Sequence, residues 1–451
     1  MTMHRGHQAP TRTRRKALHI VLFCTVVLAA TESPAQPVDR GEALEHLDRL
    51  TPQALADVLE SVNPDLQAMA AAADAAMQRI EPAGALGDPM LTYAIAPNTI
   101  GSDINVRHIG QLSQPLPWPG KRGLRRAAAA HRAQAAAQAV DAARLELLAV
   151  AHGSFAEWHY LHRAIAINAA TESLLAELKS VAESRYAAGL GLQQDALQAE
   201  LEVVLLGERR LALEHERIAL RARINALLGR DPTALLPPPG PLLAPHTLPE
   251  IQILRSAAVN SHPEVRRVQA QAASAHAQVA LADKAFMPDF SANLGYVGTL
   301  DPADKRLQIG VSINVPIFRE KRRAELAASR SDARRAEYEL DARRLEVAAD
   351  LESAYTHTHH AIEVVRLYDS RLRGLAQSNL DAALANYRSG AGEFLNVVTA
   401  QRQQLETEQR YERARADYWR MFAELDKASG GALSEAPVTA SARAPTTLDI
   451  H

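Results

Sequence analysis

Cysteine is nearly missing from this chain, which has one, Cys24, in 451 residues. Because Cys24 lies in a leader-like segment, a chain processed beyond it has no disulfide and no thiolate metal site. Aromatic side chains are scarce at 4%, too few for a thick globular core, and the abundant alanine favours long, closely packed helices instead. Neither sign of charge is in excess. A formal net charge of -2 gives no electrostatic reason to bind nucleic acid. Long apolar runs are missing too, since nothing after residue 36 approaches the roughly 20 residues of a membrane-spanning helix. If the chain enters a membrane, it does so as a barrel. There is no Gly-rich phosphate loop, nucleophile elbow or HExxH helix, so no catalytic residue, cofactor or enzyme activity is expected.

The first residues read as an export signal. Arg12, Arg14, Arg15 and Lys16 precede the apolar run Ala17 to Ala30, and Ser33 and Ala35 supply a small-x-small cleavage site. The bulky Phe23 before Cys24 argues against a lipoprotein signal, with a lipidated Cys24 as the alternative.

What the chain does have is one unit written twice at an offset of about 200 residues. "SVNPDL" from Ser61 matches "NSHPEV" from Asn260, and "GDPMLTYAI" from Gly87 matches "FMPDFSANL" from Phe286. Lys121 and Arg122 recur as Lys321 and Arg322, and "RYAAGLGLQQDALQAE" from Arg185 matches "NYRSGAGEFLNVVTAQ" from Asn386. Each copy reads helix, two strands, very long helix, turn, helix. The plan is a signal peptide at 1–35, a first repeat at 36–236, a proline-rich linker at 237–249, a second repeat at 250–430 and a disordered tail at 431–451.

The strands show a period of two. Leu91, Tyr93 and Ile95 alternate with Thr92 and Ala94, and Ile104, Val106 and Leu112 with Asn105, Arg107 and Gln111. In copy two, Phe290, Ala292, Leu294 and Tyr296 face one way, as do Leu307, Ile309, Val311, Ile313 and Val315. "PNTIGSD" and "GTLDPADK" supply the turns. Each strand has about the 9 to 11 residues of a tilted membrane strand, but membrane barrels start at about eight strands. Several chains must therefore share one barrel.

The long helices run from about Lys121 to Tyr186 and from about Lys321 to Tyr387 without proline. Each is a rod of roughly 100 Å at 1.5 Å per residue. Apolar residues on two seams, such as Leu147, Ala151, Trp158 and Leu161 beside Leu148 and Phe155, imply neighbours on both sides. The expected fold class is mainly α with a β-barrel part: a two-repeat long-helix coiled-coil tube plus four membrane strands per chain.

Between strand and rod lies a corner, "SQPLPWPGKRGLRR" from Ser113. Pro115 and Pro117 stop strand pairing and Pro119 suits a helix start. Trp118, Lys121 and Arg122, with Phe318, Lys321 and Arg322 in copy two, are candidate anchors at a water-lipid boundary, where ring and cation can reach headgroups. A plain loop-to-helix junction with solvated cations is the alternative.

Together "NPDL" (Asn63 to Leu66), "QPLPWPGKR" (Gln114 to Arg122), the two turn segments just quoted, "LLGRDP" (Leu227 to Pro232) and "SHPEV" (Ser261 to Val265) resemble the TolC-like outer-membrane efflux family over about Leu55 to Gly430. The "PWPGKR" form resembles the subgroup serving cobalt-zinc-cadmium and copper-silver efflux pumps. The resemblance implies a homotrimer closing a 12-stranded barrel in outer-membrane lipid, with a helical tube projecting into the periplasm. It further implies a periplasmic adaptor (membrane fusion) protein and an inner-membrane transporter of the resistance-nodulation-division type as partners. The chain's role is then a passive exit duct for heavy-metal cations. A drug or small-molecule duct is the alternative within that class.

By the same resemblance the turns at Tyr186 to Gly191 and Tyr387 to Gly392 form a periplasmic tip, with Gly189, Leu190 and Gly390 as adaptor contacts. Asp195, Tyr387, Asn396 and Thr399 match positions that close the aperture in relatives, although Asn396 and Thr399 depart from the acidic pattern.

Histidines offer one competing chemistry. His159 with His162 and His357 with His360 each share a helix face at i, i+3, and are weak candidate metal ligands lacking the third that zinc needs. A soluble periplasmic scaffold or adaptor without a pore, or a periplasmic metal-binding protein, are the other classes consistent with a secreted helical chain.

Overall fold

The structure is a computed structural model and describes residues 44, 47–97, 106–298 and 306–433. The leader with Cys24, the strand positions Ile104 and Asn105, most of both hairpin turns and the C-terminal tail lie outside the described residues.

Helices α1 (Pro52–Val62), α2 (Pro64–Gln78) and the short α3 (Ile80–Gly84) come first. Thr51 and Asn63 start the first two, their side-chain oxygens accepting from the N–H of Ala54 (3.1 Å) and Leu66 (3.0 Å), with proline in the first turn. Strands β1 (Met90–Pro97) and β2 (Val106–Leu116) lead into α4 (Lys121–Ala187), which returns as α5 (Gln193–Leu227). The second half repeats the order with α6 (Ile251–Ser261), α7 (Pro263–Asp283), β3 (Asp289–Gly298), β4 (Arg306–Asn314), α8 (Arg319–Leu367), α9 (Arg373–Ser389) and α10 (Phe394–Ala428).

The four strands form one antiparallel sheet in the order β1-β2-β3-β4. Its register brings the apolar positions into cross-strand rows, such as Leu91, Leu112, Leu294 and Ile309. The opposite face carries Thr92, Gln111, Asn293 and Ser312, with Gln111 donating to Asn293 (3.3 Å) and Asn293 to Ser312 (2.7 Å). Within one chain the sheet is open, with β1 and β4 as its edges. Among the described residues no helix is long and apolar enough to cross a membrane.

Both halves use the same joint where a short helix meets the end of the return helix. Asn63 Nδ2 donates to the Leu227 carbonyl (3.0 Å), and His262 Nε2 lies 3.1 Å from the Lys427 carbonyl. Around the first joint Leu55, Leu59, Phe155, Trp158, Ile224 and Leu228 form a core that the proline-rich segment straps down, Trp158 Nε1 donating to the Pro237 carbonyl (3.0 Å). A second core, with Leu175, Leu178, Leu206, Leu384, Phe394 and Val397, holds the far end of the rods together.

The rods differ in one respect. α4 is continuous over 67 residues, whereas the second rod, expected to be continuous from Lys321 to Tyr387, is broken by a π turn at Tyr368–Leu372. Matched landmarks explain it: Lys121 corresponds to Lys321 and Tyr186 to Tyr387, so the second rod has one more residue between them. A single i→i+5 turn absorbs one extra residue without ending the helix.

Candidate functional site

The two helix reversals lie together at the end of the second core. After α4, Gly189 (φ 72) turns the chain, its N–H donating to the Tyr186 carbonyl (2.9 Å) and that of Leu190 to the Arg185 carbonyl (2.8 Å). After α9, Gly390 (φ 79) repeats the device, with Gly390 donating to Tyr387 (3.1 Å) and Ala391 to Asn386 (3.0 Å). Glycine takes this left-handed φ without a Cβ clash and satisfies the last carbonyls of each helix. Leu190 is left 71% exposed, an apolar side chain with nothing of its own chain to cover it.

Arg185 ties the two turns. One guanidinium nitrogen donates to the Tyr387 carbonyl (3.2 Å), the other to the Leu190 carbonyl (3.3 Å), and the cation lies 4.9 Å from the centre of the Tyr387 ring. Tyr387 does not stand free at an opening of the chain: it is 3% exposed, packed edge-on against Phe394 at 5.3 Å. Burial raises its phenol pKa, the Asp195 charge adds to the rise and Arg185 opposes it. Asp195, half-buried near the start of α5, has its carboxyl raised by burial, against a backbone hydrogen bond with Leu192 and the charge of Arg185. Asn396 and Thr399 stand apart on the exposed face of α10, Thr399 Oγ1 donating to the Leu395 carbonyl (2.8 Å). Of the four expected aperture residues, Tyr387 is the one that Arg185 contacts, and Asp195 lies near enough for its charge to act on Tyr387. Reading the sequence for site residues missed Arg185, whose one signal was a charge standing where the matching turn has the neutral Asn386.

The corners correct one expectation. Lys121, read as a lipid-facing cation, is 5% exposed, donating to Asp289 (2.8 Å) and to the Met287 carbonyl (3.0 Å). A carboxylate at the foot of β3 offers it a better partner than water, so it locks the β2–α4 corner onto the next strand. Trp118 is half-buried, its ring stacked on Phe290 at 5.7 Å and its backbone N–H donating to Asp289 (2.8 Å). Arg122 and Arg322 make matching contacts, each Nε donating at 2.7 Å to a carbonyl ahead of the strands, Gly84 and Ala285. Phe318 is 70% exposed and Lys321 is exposed as well.

The histidines are not gathered. His159 and His162 lie in the wall of α4, His162 edge-on to Trp158 at 4.6 Å, and burial lowers both imidazoles to about 4. His357 and His360 are exposed on α8. Among the described residues no three His, Cys, Asp or Glu side chains come together to hold a metal ion.

Residues 254–431 match the model of the family described as Outer membrane efflux protein. The fold agrees over most of the chain. The solved structure of CusC overlays with a TM-score of 0.74 at 17% identity, covering 84% of this chain and 92% of that one. The open-state outer membrane channel MtrE of Neisseria gonorrhoeae overlays at 0.73 with 17% identity, covering 85% and 89%. The family match covers part of the second half of the chain, and the overlays show that the fold of these channels extends over both halves. A curated relative, Protein CyaE of Bordetella pertussis, is 28% identical over 304 residues, 63% of this chain and 63% of that one. The match thus spans under two thirds of that relative's length. The reversals and the corners lie at opposite ends of the long helices.

Proposed function

We propose that the chain is the outer-membrane exit duct of a tripartite efflux pump of the resistance-nodulation-division type. The observation that carries this reading is the apolar face of the sheet, where Leu91, Leu112, Leu294 and Ile309 form one row, 79%, 42%, 45% and 84% exposed. Apolar area left in water forgoes about 25 cal/mol per Å², and lipid removes that penalty. Strands enter lipid only as a closed barrel, and four strands close only by sharing. A homotrimer gives a 12-stranded barrel whose polar face, with Gln111, Asn293 and Ser312, lines a water-filled path.

In this reading the rods extend the path by roughly 100 Å into the periplasm. The tip offers Leu190, Gly189 and Gly390 to a periplasmic adaptor, and Asp195 stands at the aperture. The duct is passive. Opening the tip draws its free energy from differential contacts with the adaptor and transporter. Heavy-metal cations are the proposed cargo, on the resemblance of the Gln114 to Arg122 corner, and they pass without a resident ligand set.

The test is fractionation and planar-bilayer recording of the purified protein. Recovery with the outer membrane as a heat-modifiable oligomer that conducts ions is expected. A monomer in plain buffer that passes no current would sink the reading in favour of a soluble scaffold. Growth of a deletion strain on graded zinc, cobalt, cadmium and copper tests the cargo, and sensitivity to drugs alone would reassign it.

A further inference from the structure

Where the proline-rich segment crosses the first rod it closes one side of a cavity of about 420 Å³, which also takes in Arg49, His159, His162, Arg163, Glu412 and Arg415. Backbone bonds fix the chain ahead of α1 at its edge. The Leu50 N–H donates to the Pro238 carbonyl (2.9 Å) and the Gly240 N–H to the Leu50 carbonyl (2.7 Å), which sets Arg49 beside the opening. Helix α4 brings both histidines and Arg163, and α10 brings Glu412 and Arg415. Pro238, Pro239 and Pro241 have no N–H and that of Gly240 already bonds Leu50, so this stretch gives the cavity no backbone donor.

The charges here do not balance. Glu412, the one acidic side chain lining the cavity among the described residues, is 3% exposed, and each of its oxygens accepts from an arginine, Arg163 Nε (3.0 Å) and an Arg415 nitrogen (3.0 Å). A second Arg415 nitrogen holds the Leu242 carbonyl (2.6 Å). Arg49 is exposed and has no ion pair among the described residues, so three guanidiniums face one carboxylate. The excess continues beyond His162. A smaller cavity of about 180 Å³ shares that histidine and is lined by Arg217 and Arg221 of α5, with no acid among its described lining residues. Neither arginine has an ion pair among the described residues, and Arg221 Nε is buried without a hydrogen-bond partner.

The imidazoles add donors without adding charge. His159 is 5% exposed with its Nδ1 buried and unpartnered, and His162 Nε2 is buried and unpartnered as well. A neutral ring can place its one N–H on that nitrogen. Burial keeps both rings neutral near pH 7, and the charges of Arg163 and Arg415 on His159, and of Arg217 on His162, act in the same direction. A field that resists a further cation favours an anion. Guanidiniums meet carboxylate and phosphate groups through paired N–H donors, and an oxyanion would also satisfy the buried ring nitrogen.

We propose that this cavity binds a multiply charged oxyanion, a phosphate- or carboxylate-bearing ligand held by Arg49, Arg163, Arg415 and His159 and reaching past His162 to Arg217. Arg163 lies 42 residues along α4 from Lys121, about 60 Å. On the duct reading the Lys121 corner is at the bilayer, which puts the headgroups of that membrane out of reach and leaves soluble or polymer-borne oxyanions. The site itself stands whether or not the chain is a duct.

The experiment is isothermal titration calorimetry of the full chain in detergent and low-salt, phosphate-free buffer near pH 7, with inorganic pyrophosphate in one series and citrate in another. Saturable uptake of one anion per chain is expected, with a melting midpoint that rises with anion concentration. Saturation by pyrophosphate alone assigns a phosphate ligand, by citrate alone a carboxylate ligand, and by both the chemistry they share. Arg49→Gln and Arg217→Gln remove guanidiniums that hold no acid of the chain. Each should leave the midpoint of the ligand-free protein unchanged and weaken binding about tenfold. Arg330→Gln, on α8 and outside both cavities, should leave binding as it is. No saturable uptake of either anion up to about 10 mM overturns the proposal. Equal weakening by Arg49→Gln and Arg330→Gln does so too, since it marks unspecific attraction to basic surface, and an unaffected Arg217→Gln overturns the reach past His162. Planar-bilayer current from the same preparation reads the duct separately: a conducting protein that binds neither anion sinks this proposal alone, and one that binds without conducting sinks the duct alone.

Discussion

Arg185 at the end of one rod donates a hydrogen bond of 3.2 Å to the carbonyl of Tyr387 at the end of the other, and its cation lies 4.9 Å from the same residue's ring. The contact joins residues 202 positions apart, and the same guanidinium also holds the Leu190 carbonyl. One side chain therefore fixes how the two reversals sit against each other.

Removing that tie should loosen the tip without unfolding the chain. Arg185→Ala deletes both charge-assisted bonds, a loss of about 1–3 kcal/mol, while the glycine turns and the core around Phe394 remain. If the chain is the duct proposed above, the expected outcome is a higher single-channel conductance in planar bilayers than that of the wild type. Arg185→Lys, which keeps the charge but not the two-pronged reach, should fall between them. Unchanged conductance in both would remove Arg185 from any role in closure.

Leu190 should matter to a partner and not to folding. With 71% of its surface exposed, Leu190→Asp changes stability by less than about 0.5 kcal/mol. Thermal unfolding should match the wild type; on the duct reading proposed above, pull-down of a periplasmic adaptor and complementation of a deletion strain should be lost. Normal complementation would move the adaptor contact elsewhere.

The buried histidines give the rods an acid limit. Burial lowers His159 and His162 to about 4 from 6.5, so each takes up a proton more readily when the chain is unfolded. Their contribution is complete above about pH 6.5 and is lost as pH falls towards about 4. For His159 the Glu412 charge opposes this effect, and Arg415 and Arg163 reinforce it. Melting followed by circular dichroism should show a midpoint a few degrees lower near pH 5 than near pH 7. His159→Phe should flatten that dependence; an equal slope in the variant would mean that other groups set it.

Much of the fold was legible because its signals are local. Leu91, Tyr93 and Ile95 alternate with the smaller Thr92 and Ala94, and those same large side chains lie on the exposed apolar face of the sheet. What stayed hidden depends on partners far apart in sequence. Lys121 and Lys321 look alike in their repeats, yet Lys121 is buried by Asp289, 168 residues on, and Lys321 is not. The π turn was equally silent, because one extra residue in a 200-residue offset alters no local pattern. Tyr387 sits behind Arg185 and Phe394 for the same reason: burial at a tip is decided by the other turn.

The difference between the two lysines yields a last test. Lys121→Met leaves the Asp289 carboxylate without its cation beside a corner that no longer has an anchor. Asp289 keeps 38% of its side chain in solvent, which softens the penalty, so a loss of about 1–3 kcal/mol is expected rather than the full cost of a buried unpaired charge. Urea unfolding in detergent should show this loss, and Lys121→Met with Asp289→Leu should recover part of it by removing the stranded charge. Lys321→Met breaks a 3.9 Å contact between exposed groups on one helix, worth less than about 0.5 kcal/mol to the single chain. Equal losses for both single variants under urea would mean that the corner is not locked by the Lys121 pair.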